Sequence, residues 1–388
     1  MSKLRKIHIW IPELFSSKGG IQVFSDFFVR AVQSTYPQAE YSIFLKNDCS
    51  AQVPQELDYL PQTQIYGSGN WKESLRTLLF SLDLIAKAVW YRPSLIIVNH
   101  VNFSPIASFL KKLIGVRFVV NTYGIECWDI DKPIIKKALQ SADRIFSISD
   151  YTRDRLFQEQ GLDPSKVSLL PCTFDPNRFQ ISPRPIYLLE KYVLRSDQRI
   201  ILTVTRLAEA EQYKGYDKII EALPQIRQAI PNIHYIIIGK GSDRPRIEQL
   251  ITKLNLQDCV TLAGFISDEQ LCDYYNLCDV FAMPSKREGF GIVYLEALAC
   301  GKPVLGGNQD GAVDALCQGK LGALVNPDCV DEIAEVLIKI LQGIYPNPLM
   351  YQPEALRQKV IEEFGFEQFK QKLASYLEMF EAKDSNIG

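Results

Sequence analysis

Short apolar runs rich in β-branched residues alternate with helical stretches along most of the chain. In the first half, the strand-like runs lie at 6–11, 41–45, 94–98, 117–122, 144–148 and 168–171. In the second half, they lie at 199–205, 233–239, 259–264, 279–285, 302–307 and 322–326. Continuous apolar strands separated by helices are typical of parallel sheets buried on both faces. The pattern therefore predicts an α/β protein with two such sheets.

Two of the helical stretches carry a long apolar stripe with a period near 3.6 residues. In 71–90 the stripe consists of Leu75, Leu78, Leu79, Leu82, Ile85, Ala86 and Val89. In 366–380 it consists of Phe366, Phe369, Leu373, Tyr376, Leu377 and Phe380. The second stripe must pack against something, and periodicity alone does not say whether that partner is its own domain or another one.

The 388 residues are too many for one ordinary domain, because domains usually contain ~100–200 residues. The alternation breaks at 180–198, where Pro183 and Pro185 interrupt it. We therefore expect a first domain at 1–182, a second at 198–362 and a terminal helical segment at 363–388.

Composition excludes several classes of protein. Lys and Arg number 43 against 45 Asp and Glu, so the chain is not built around nucleic-acid phosphates. It has no uninterrupted apolar run of ~18 residues and no signal-peptide pattern at its start, and we expect a cytoplasmic protein.

The nine cysteines include no CxxC pair, which favours reduced thiols. A His-rich zinc site is disfavoured, and a Ser/His/Asp hydrolase would have to draw its base from His8, His100 or His234.

The strongest candidate chemistry lies in the loop at 284–291 and the helix expected after it, since open α/β sheets bind ligands outside the carboxyl ends of their strands. Gly289 and Gly291 let the backbone approach a ligand closely, and the helix start suits a phosphate. Glu288 lies in the loop. Glu296 lies about one turn into the helix, ~6 Å along its axis from its start, where a carboxylate can accept bonds from a diol such as ribose. Alone, such a loop is more often an ordinary turn and helix face.

A second turn follows the strand at 199–205. Arg206 leaves the strand end, and Lys214 with Gly215 precedes the next helix. Two cations at the carboxyl end of a strand can neutralise a diphosphate and stabilise it as it departs. The alternative is that both are solvated surface residues.

Two further turns lie in the first half of the chain. Gly20 follows the first strand, without the spacing of a dinucleotide fingerprint. His100 follows the strand at 94–98, and Tyr123, Gly124 and Glu126 follow the next strand. We expect these residues to face the crevice between the domains; a plain tight turn and a structural histidine are the alternatives.

These turns form a specific combination. Glu288 and Glu296 make an E-x7-E pattern within PSxxEGFGxxxLEAxAxGxPV, accompanied by Arg206, Lys214 and the Gly-Gly turn. The segments ISDYTRDRL and LLPCTFDPNRF extend the pattern, so it spans nearly the whole chain. The sequence thereby resembles the family 4 retaining glycosyltransferases. The resemblance implies a GT-B fold, with two Rossmann-like domains facing across a cleft and the last helix returning to the N-terminal domain.

The resemblance also implies a reaction, the transfer of a hexose from a nucleoside diphosphate sugar with retention at the anomeric carbon. Glu296 would bind the ribose, Glu288 the donor sugar, and Arg206 with Lys214 the diphosphate. The further donor-binding residues that it implies are Gly20, Gly264, Phe265, Ile266, Gly289, Phe290, Gly291 and Ile292. In the front-face mechanism usually proposed for such enzymes, the leaving phosphate oxygen takes the acceptor proton. We therefore expect no strong protein base. Because the helix start and the two cations can do the work of a divalent ion on the leaving diphosphate, we also expect no metal and no cofactor.

Two positions depart from the family pattern. Arg206 and Lys214 are eight residues apart, whereas the family often spaces them six apart. Tyr123 stands before Gly124 where the family usually has a histidine, and Tyr carries no positive charge at pH 7. Tyr123 and Gly124 are therefore candidates for the sugar pocket, and His100 is the candidate to line it instead.

Two rival functions remain beside the transferase. A sugar-nucleotide epimerase would need titratable groups around the sugar ring, and the E-x7-E loop argues against it. An inactive nucleotide-sugar-binding or membrane-surface protein is the other rival, since Lys72 to Arg117 contains seven basic and two acidic residues beside the apolar FLKKLIGVRF. That basic stretch suits peripheral contact with an anionic membrane; solvated helix faces are the alternative.

We favour UDP-glucose as the donor, with GDP-mannose as the nearest competitor. The acceptor, a saccharide or a lipid-linked molecule in polysaccharide or glycolipid assembly, is an expectation from the family alone.

Overall fold

The computed structural model describes residues 4–16, 19–54 and 59–382. The chain forms two compact units. The N-terminal unit contains the residues up to Thr173 together with the segment from Phe366, and the C-terminal unit contains Phe174–Gly365. The first change of unit thus precedes the proline-containing segment at 180–198, and the terminal segment is part of the N-terminal unit.

In its described part, the N-terminal unit contains a seven-stranded sheet in the order β3-β2-β1-β4-β5-β6-β7. Its strands are β1 Lys6–Ile11, β2 Glu40–Leu45, β3 Thr63–Gly67, β4 Leu95–Val98, β5 Arg117–Thr122, β6 Arg144–Ser147 and β7 Val167–Leu169. Every pairing is parallel. The apolar runs predicted six of these strands. The seventh, β3, escaped prediction because its residues, TQIYG, are only partly buried at the sheet edge.

The C-terminal unit contains a six-stranded parallel sheet in the order β10-β9-β8-β11-β12-β13. Its strands are β8 Arg199–Val204, β9 Ile233–Ile238, β10 Val260–Gly264, β11 Val280–Met283, β12 Val304–Gly307 and β13 Ala323–Val325. The predicted runs located all six, each within two residues of its observed bounds. The predicted α/β fold with two parallel, Rossmann-like sheets is confirmed.

Helices connect the strands and cover the sheets. In chain order they are α1 Gly20–Thr35, α2 Glu73–Tyr91, α3 Ser104–Ile114, α4 Pro133–Ser141, α5 Asp150–Gln160, α6 Ile186–Lys191, α7 Tyr216–Ala229, α8 Arg244–Lys253, α9 Asp268–Leu277, α10 Ile292–Ala299, α11 Ala312–Ala315, α12 Val330–Leu341, α13 Pro353–Phe364, α14 Phe366–Leu377 and α15 Met379–Ala382. Local sequence sets several of their starts. The Ser149 hydroxyl, for example, accepts a hydrogen bond from the Thr152 N–H at the start of α5.

In the N-terminal unit, helices cover both faces of the sheet. Helices α2, α3 and α4 lie side by side on one face and share one apolar core with the strands beneath them. Helices α1 and α14 pack together on the other face, where the rings of Phe24 and Phe369 meet edge to face with 5.6 Å between their centroids. The apolar stripe of the terminal segment is therefore buried within the N-terminal unit.

Helix α2 turns most of its predicted apolar stripe away from the sheet, although Ile85 packs partly buried against the core. Its buried residues are Phe80, Leu84 and Ala88, a narrow row at four-residue spacing. Leu78, at the centre of the predicted stripe, is 58% exposed. Residues four apart share one helix face, so these three residues form the side that faces the sheet. The opposite side carries the leucine row, which consists of Leu75, Leu78, Leu79 and Leu82. Periodicity identified the helix but not the side that it buries.

Each sheet has one point at which the strand order reverses. In the N-terminal unit this point lies between β1 and β4, and in the C-terminal unit it lies between β8 and β11. Ligands of open parallel sheets bind outside the carboxyl ends of the strands at such points. The loops after these four strands are where the sequence analysis placed Gly20, His100, Arg206 and Glu288.

Two sequence-level expectations concern the chain as a whole. Within the described residues, no helix combines the length and the apolar character needed to cross a bilayer. None of the nine cysteines, all of which lie in the described ranges, takes part in a disulfide.

The orientation of α2 predicts unequal effects for two leucine substitutions. Leu84→Ala leaves a cavity in the core and should lower the free energy of unfolding by about 2–5 kcal/mol. Leu78→Ala, its matched control on the same helix, should change it by about 0.5 kcal/mol or less. All four tryptophans, Trp10, Trp71, Trp90 and Trp128, belong to the N-terminal unit. Their fluorescence in a urea titration therefore follows the unfolding of that unit, and equal losses for the two variants would contradict the orientation.

Candidate functional site

The loop between β11 and α10 is held in place by a buried carboxylate. Asp310 accepts hydrogen bonds from the Ser285 hydroxyl at 2.7 Å, from the Glu288 N–H at 2.7 Å and from the Ala312 N–H at 3.0 Å. Burial raises the pKa of Asp310 to about 6. The sequence analysis did not single out Asp310, although an acidic residue just after the apolar β12 run was a visible signal.

Two glycines make this loop possible. Gly291 immediately precedes α10 with a φ of +90°, a conformation that L side chains rarely adopt. Gly311 lies so close to the loop that a Cβ there would be 2.1 Å from the Gly289 carbonyl oxygen. The side chains of Phe290 and Ile292 are buried, so only their main chain is available to a ligand.

Lys214 and Glu288 form an ion pair between the loops after β8 and β11. Their Nζ and Oε2 atoms are 2.6 Å apart, and both side chains are largely buried. Burial acts to lower the pKa of Lys214, but the charge and hydrogen bond of Glu288 together with the nearby Tyr213 and Glu211 outweigh it, so that pKa lies above its usual value. Gly215 brings the loops together, since a Cβ on it would lie 2.3 Å from the Pro284 carbonyl oxygen.

Arg206 lies in the same loop as Lys214, just after the end of β8. Its side chain is 67% exposed, and its guanidinium pairs with Glu211. Glu211 is largely buried, and its Oε2 is 4.0 Å from the Lys214 Nζ. This oxygen has no hydrogen-bond donor among the residues that the structure describes. Glu211 was missed by the sequence analysis; the signal was the acidic stretch AEAEQY that lengthens the spacing between Arg206 and Lys214.

Glu296 lies on α10, and its side chain is buried. Its Oε2 accepts a hydrogen bond of 2.6 Å from the hydroxyl of Tyr275 on α9. Burial raises the pKa of Glu296 to about 7. Burial, with the Glu296 charge beside it, holds the pKa of Tyr275 well above its usual value. Tyr275 had no signal in the sequence beyond its place in an amphipathic helix.

The segment after β10 carries the residues predicted to meet the base. Gly264 has a φ of +75° and its carbonyl oxygen accepts a hydrogen bond of 2.8 Å from the Gly239 N–H. Phe265 is 55% exposed, whereas Ile266 is buried. The Lys240 Nζ lies 5.6 Å from the centre of the Phe265 ring. An exposed ring of this kind can stack on a flat heterocycle.

In the N-terminal unit, the loop after β1 is ordered by Asp48. This buried carboxylate accepts hydrogen bonds from the Leu14 N–H at 2.5 Å and from the Ser16 N–H at 2.7 Å. Helix α1 then begins at Gly20, which is exposed. Ser17 and Lys18 of the predicted glycine turn lie outside the described residues.

His100 and Tyr123 follow β4 and β5. The His100 Nδ1 accepts a hydrogen bond of 3.2 Å from the Asn102 N–H, and burial together with the Lys46 charge lowers the pKa of His100 to about 4. The ring is therefore neutral at pH 7 with its proton on Nε2. The Tyr123 hydroxyl is buried and donates to Asn99 Oδ1 at 3.1 Å, so a sugar contact would require this bond to be exchanged.

The loop at Gly124 is also internally bonded. Gly124 has a φ of +137°, and its carbonyl oxygen accepts a hydrogen bond of 2.8 Å from the Cys127 N–H. The Tyr123 N–H donates to Glu126 Oε1 at 2.5 Å, and burial raises the pKa of Glu126 to about 7. The two other histidines lie within strands, His8 in β1 and His234 in β9, where His234 Nε2 contacts Thr261 Oγ1 at 2.8 Å.

Of the predicted site residues, the structure joins Arg206, Lys214 and Glu288 most directly, with Glu211 as an additional member. We call these four residues the ion-pair cluster. Cations at the reversal point of the sheet, beside the start of an eight-residue helix, suit an anionic group such as a diphosphate.

Comparison with known families agrees with this geometry. Residues 47–178 match the model of Glycosyltransferase Family 4, and residues 188–351 match that of Glycosyl transferases group 1. Together the two models span most of the chain. The protein belongs to the family 4 glycosyltransferases.

Among its relatives, this glycosyltransferase is similar to the GDP-mannose-dependent alpha-(1-6)-phosphatidylinositol monomannoside mannosyltransferase of Mycolicibacterium smegmatis. The two are 28% identical over 344 residues, which cover 84% of this chain and 86% of the relative.

Two solved structures show a similar fold over nearly the whole chain. The sucrose-phosphate synthase of Thermosynechococcus elongatus has a TM-score of 0.80 at 21% identity, with 98% of this chain and all of that chain covered. Alr3699/HepE of Anabaena in complex with UDP has a TM-score of 0.78 at 19% identity, with 97% of this chain and all of that chain covered. The structural neighbours are GT-B glycosyltransferases, which agrees with the fold class expected from the sequence.

The buried Glu296 predicts a pH-dependent gain in stability for the glycosyltransferase variant Glu296→Gln. Because its pKa is about 7 in the folded state and near 4.5 when unfolded, wild-type stability falls as the pH rises through this range. The variant keeps an acceptor for Tyr275 without the charge. It should exceed wild type by about 1–3 kcal/mol at pH 8 and by much less at pH 5.

Urea unfolding followed by circular dichroism at both pH values measures this difference. Glu335→Gln, which removes an exposed carboxylate of the same unit, is the control and should change stability by about 0.5 kcal/mol or less at either pH. A gain for Glu296→Gln that is equal at pH 5 and pH 8 would contradict the raised pKa of Glu296.

Proposed function

We propose that this glycosyltransferase is a retaining hexosyltransferase that uses a nucleoside diphosphate hexose as donor. The observation that carries the proposal is the ion-pair cluster beside the start of α10. It holds two cations where the sheet reverses its strand order, Lys214 largely buried and Arg206 largely exposed. A diphosphate is the part of such a donor that needs both charges.

The proposed reaction breaks the bond between the anomeric carbon and the diphosphate oxygen. The electron pair leaves with the diphosphate, and the acceptor oxygen attacks the same face of the sugar. The acceptor proton passes to the departing phosphate oxygen. Negative charge therefore grows on the diphosphate in the transition state, where Arg206 and Lys214 would stabilise it together with the amide groups at the start of α10. We propose this chemistry without a metal or cofactor.

Glu288 and Glu296 would have different roles. Glu288 is held beside Lys214 and would contact the hexose, with the main chain of Gly289, Phe290 and Gly291 around it. Glu296 has a buried tyrosine as its partner and would accept hydrogen bonds from the ribose. The Phe265 ring would lie against the base, and Gly264 and Ile266 would contribute main-chain contacts.

The proposed contacts of the N-terminal unit are polar rather than ionic. His100 is neutral at pH 7, so its Nε2–H would donate a hydrogen bond to a sugar hydroxyl without supplying charge. Gly20 would allow the start of α1 to approach the donor, and Tyr123 with Gly124 would border the hexose. The acceptor would be a saccharide or a lipid-linked molecule in polysaccharide or glycolipid assembly, and the reaction would take place in the cytoplasm.

Two donors are candidates, each supported by a specific likeness. UDP-glucose is favoured by the sequence analysis and by the Anabaena structures, which contain UDP in one case and UDP-glucose in another. GDP-mannose is supported by the mycobacterial relative, whose likeness extends over both units at a higher identity. The two donors differ mainly in the nucleoside, which the C-terminal unit is proposed to bind.

The diphosphate role of Arg206 predicts a selective loss of turnover. Arg206→Ala should lower the kcat of donor hydrolysis, with water as acceptor, by about tenfold or more, because the lost charge acts mainly on the transition state. Glu296→Ala should instead raise KM, since the ribose contact is the same in ground and transition states. Release of the nucleoside diphosphate, measured by ion-exchange chromatography, gives both constants.

Arg199→Ala is the matched control for Arg206→Ala. Arg199 lies at the amino end of β8, the strand that Arg206 follows. It is 51% exposed and also pairs with a carboxylate. Its replacement should leave both constants unchanged. If Arg206→Ala retains wild-type kcat, or if Arg199→Ala loses as much, the diphosphate site has been assigned to the wrong residues.

Calorimetric titration with UDP, GDP, UDP-glucose and GDP-mannose, with and without EDTA, identifies the donor. We expect one nucleotide class to bind with the same affinity in EDTA and to lose affinity in Glu296→Ala. Binding without hydrolysis or transfer would favour an inactive nucleotide-sugar-binding protein, and no binding of any of the four would overturn the proposed donor class.

A further inference from the structure

We propose that the outward side of helices α2, α3 and α4 is a docking surface for an anionic membrane. This inference goes beyond sugar transfer and does not depend on which donor is used. We call this surface the apolar face. Its exposed apolar residues are Leu75, Leu78, Leu79, Leu82, Val89 and Trp90 of α2, Phe109 and Leu113 of α3, and Ile134 of α4.

The first argument is the degree of exposure on one helix. Trp90 is 82% exposed, and every member of the leucine row of α2 is exposed by more than a third. A single exposed leucine is ordinary, but a whole row along a 19-residue helix is not. The row lies opposite Phe80, Leu84 and Ala88, so it points straight away from the sheet.

The second argument is that the three helices form one layer. Helix α3 lies between α2 and α4 and packs against both. The three helices bury Leu84, Leu110 and Leu139 in one common core against the same face of the sheet. Their remaining apolar side chains therefore point to the same side of the unit, and they form a broad surface rather than isolated spots.

The third argument is charge. Five exposed basic residues lie on or beside these helices: Lys72, Arg92, Lys112, Lys132 and Lys137. None of them forms an ion pair within the described part of the chain. The acidic residues of the three helices are Glu73, which is exposed, and Asp83, which pairs with Lys87 at 3.1 Å. Asp131, beside α4, is the exposed carboxylate nearest to Lys132 in the chain. The balance is positive around an apolar centre.

A bilayer with anionic lipids matches this combination. An amphipathic helix lies in the membrane interface with its apolar side among the acyl chains and its basic residues at the headgroups. Tryptophan and long basic side chains suit the boundary, because they combine an apolar body with a polar end. A second copy of the chain would bring the same positive charges together across the contact, which disfavours self-association through this face.

Cosedimentation of the 388-residue chain with phospholipid vesicles tests the proposal. We expect binding to phosphatidylcholine vesicles that contain about one-third phosphatidylglycerol, weaker binding in 0.5 M NaCl and little binding to pure phosphatidylcholine. The emission of Trp90 should shift to shorter wavelength on binding, and the variant Trp90→Phe should lose this shift. Absence of binding to the anionic vesicles would overturn the proposal.

Surface variants show whether the apolar face is responsible. Leu78→Ser combined with Leu82→Ser, and separately Lys112→Glu, should reduce the bound fraction at least fivefold without changing the thermal midpoint or donor hydrolysis. The controls are Ile344→Ser and Lys253→Glu, which alter exposed residues of the C-terminal unit and should bind as wild type. Equal losses in the controls would place binding elsewhere. A dimer abolished by the leucine variant, without vesicle binding, would assign the face to a second copy instead.

Discussion

Parallel pairing of every strand in the described part of the chain is the constraint on which the rest of this glycosyltransferase depends. It forces each connection to cross the sheet through a helix, so both faces are covered and the strands are apolar throughout. It also brings all the carboxyl ends of a sheet to one edge. Where the strand order reverses, two neighbouring loops diverge and leave room for a ligand. The residues with candidate chemistry stand in these loops because the scaffold leaves few other places for them.

Buried carboxylates shape the candidate donor site as much as its cations do. Asp310 holds the loop before α10 through three donors, while Glu211 pairs with Arg206 and Glu288 pairs with Lys214. Keeping charged groups at low exposure costs stability unless they are paired. Burial of Glu296 beside Tyr275 raises the pKa of this carboxyl to about 7 and so disfavours its charged form. A site that accepts this cost is organised for a polar, charged ligand before that ligand arrives.

The N-terminal unit shows the reverse of these buried charges, because it exposes apolar side chains to solvent. Helix α2 buries only Phe80, Leu84 and Ala88 against the sheet. Its leucine row therefore makes no contribution to the core of the unit. Burial of such a row normally stabilises a protein, and its exposure is the observation behind the proposed docking surface. Both units thus carry features that their own stability does not require, and these are the features to which function is assigned.

The sequence by itself determined the α/β class, almost all of the strands and the loops that carry the candidate chemistry, because apolar runs, glycines and charged residues are local signals. The E-x7-E pattern placed Glu288 and Glu296 for the same reason. Only the tertiary structure decided that Lys214 pairs with Glu288, that Asp310 and Tyr275 support the two glutamates, and that the predicted face of α2 is exposed. These features depend on contacts between residues distant in the chain and on which side of a helix the sheet occupies, and no periodicity within one element contains that information.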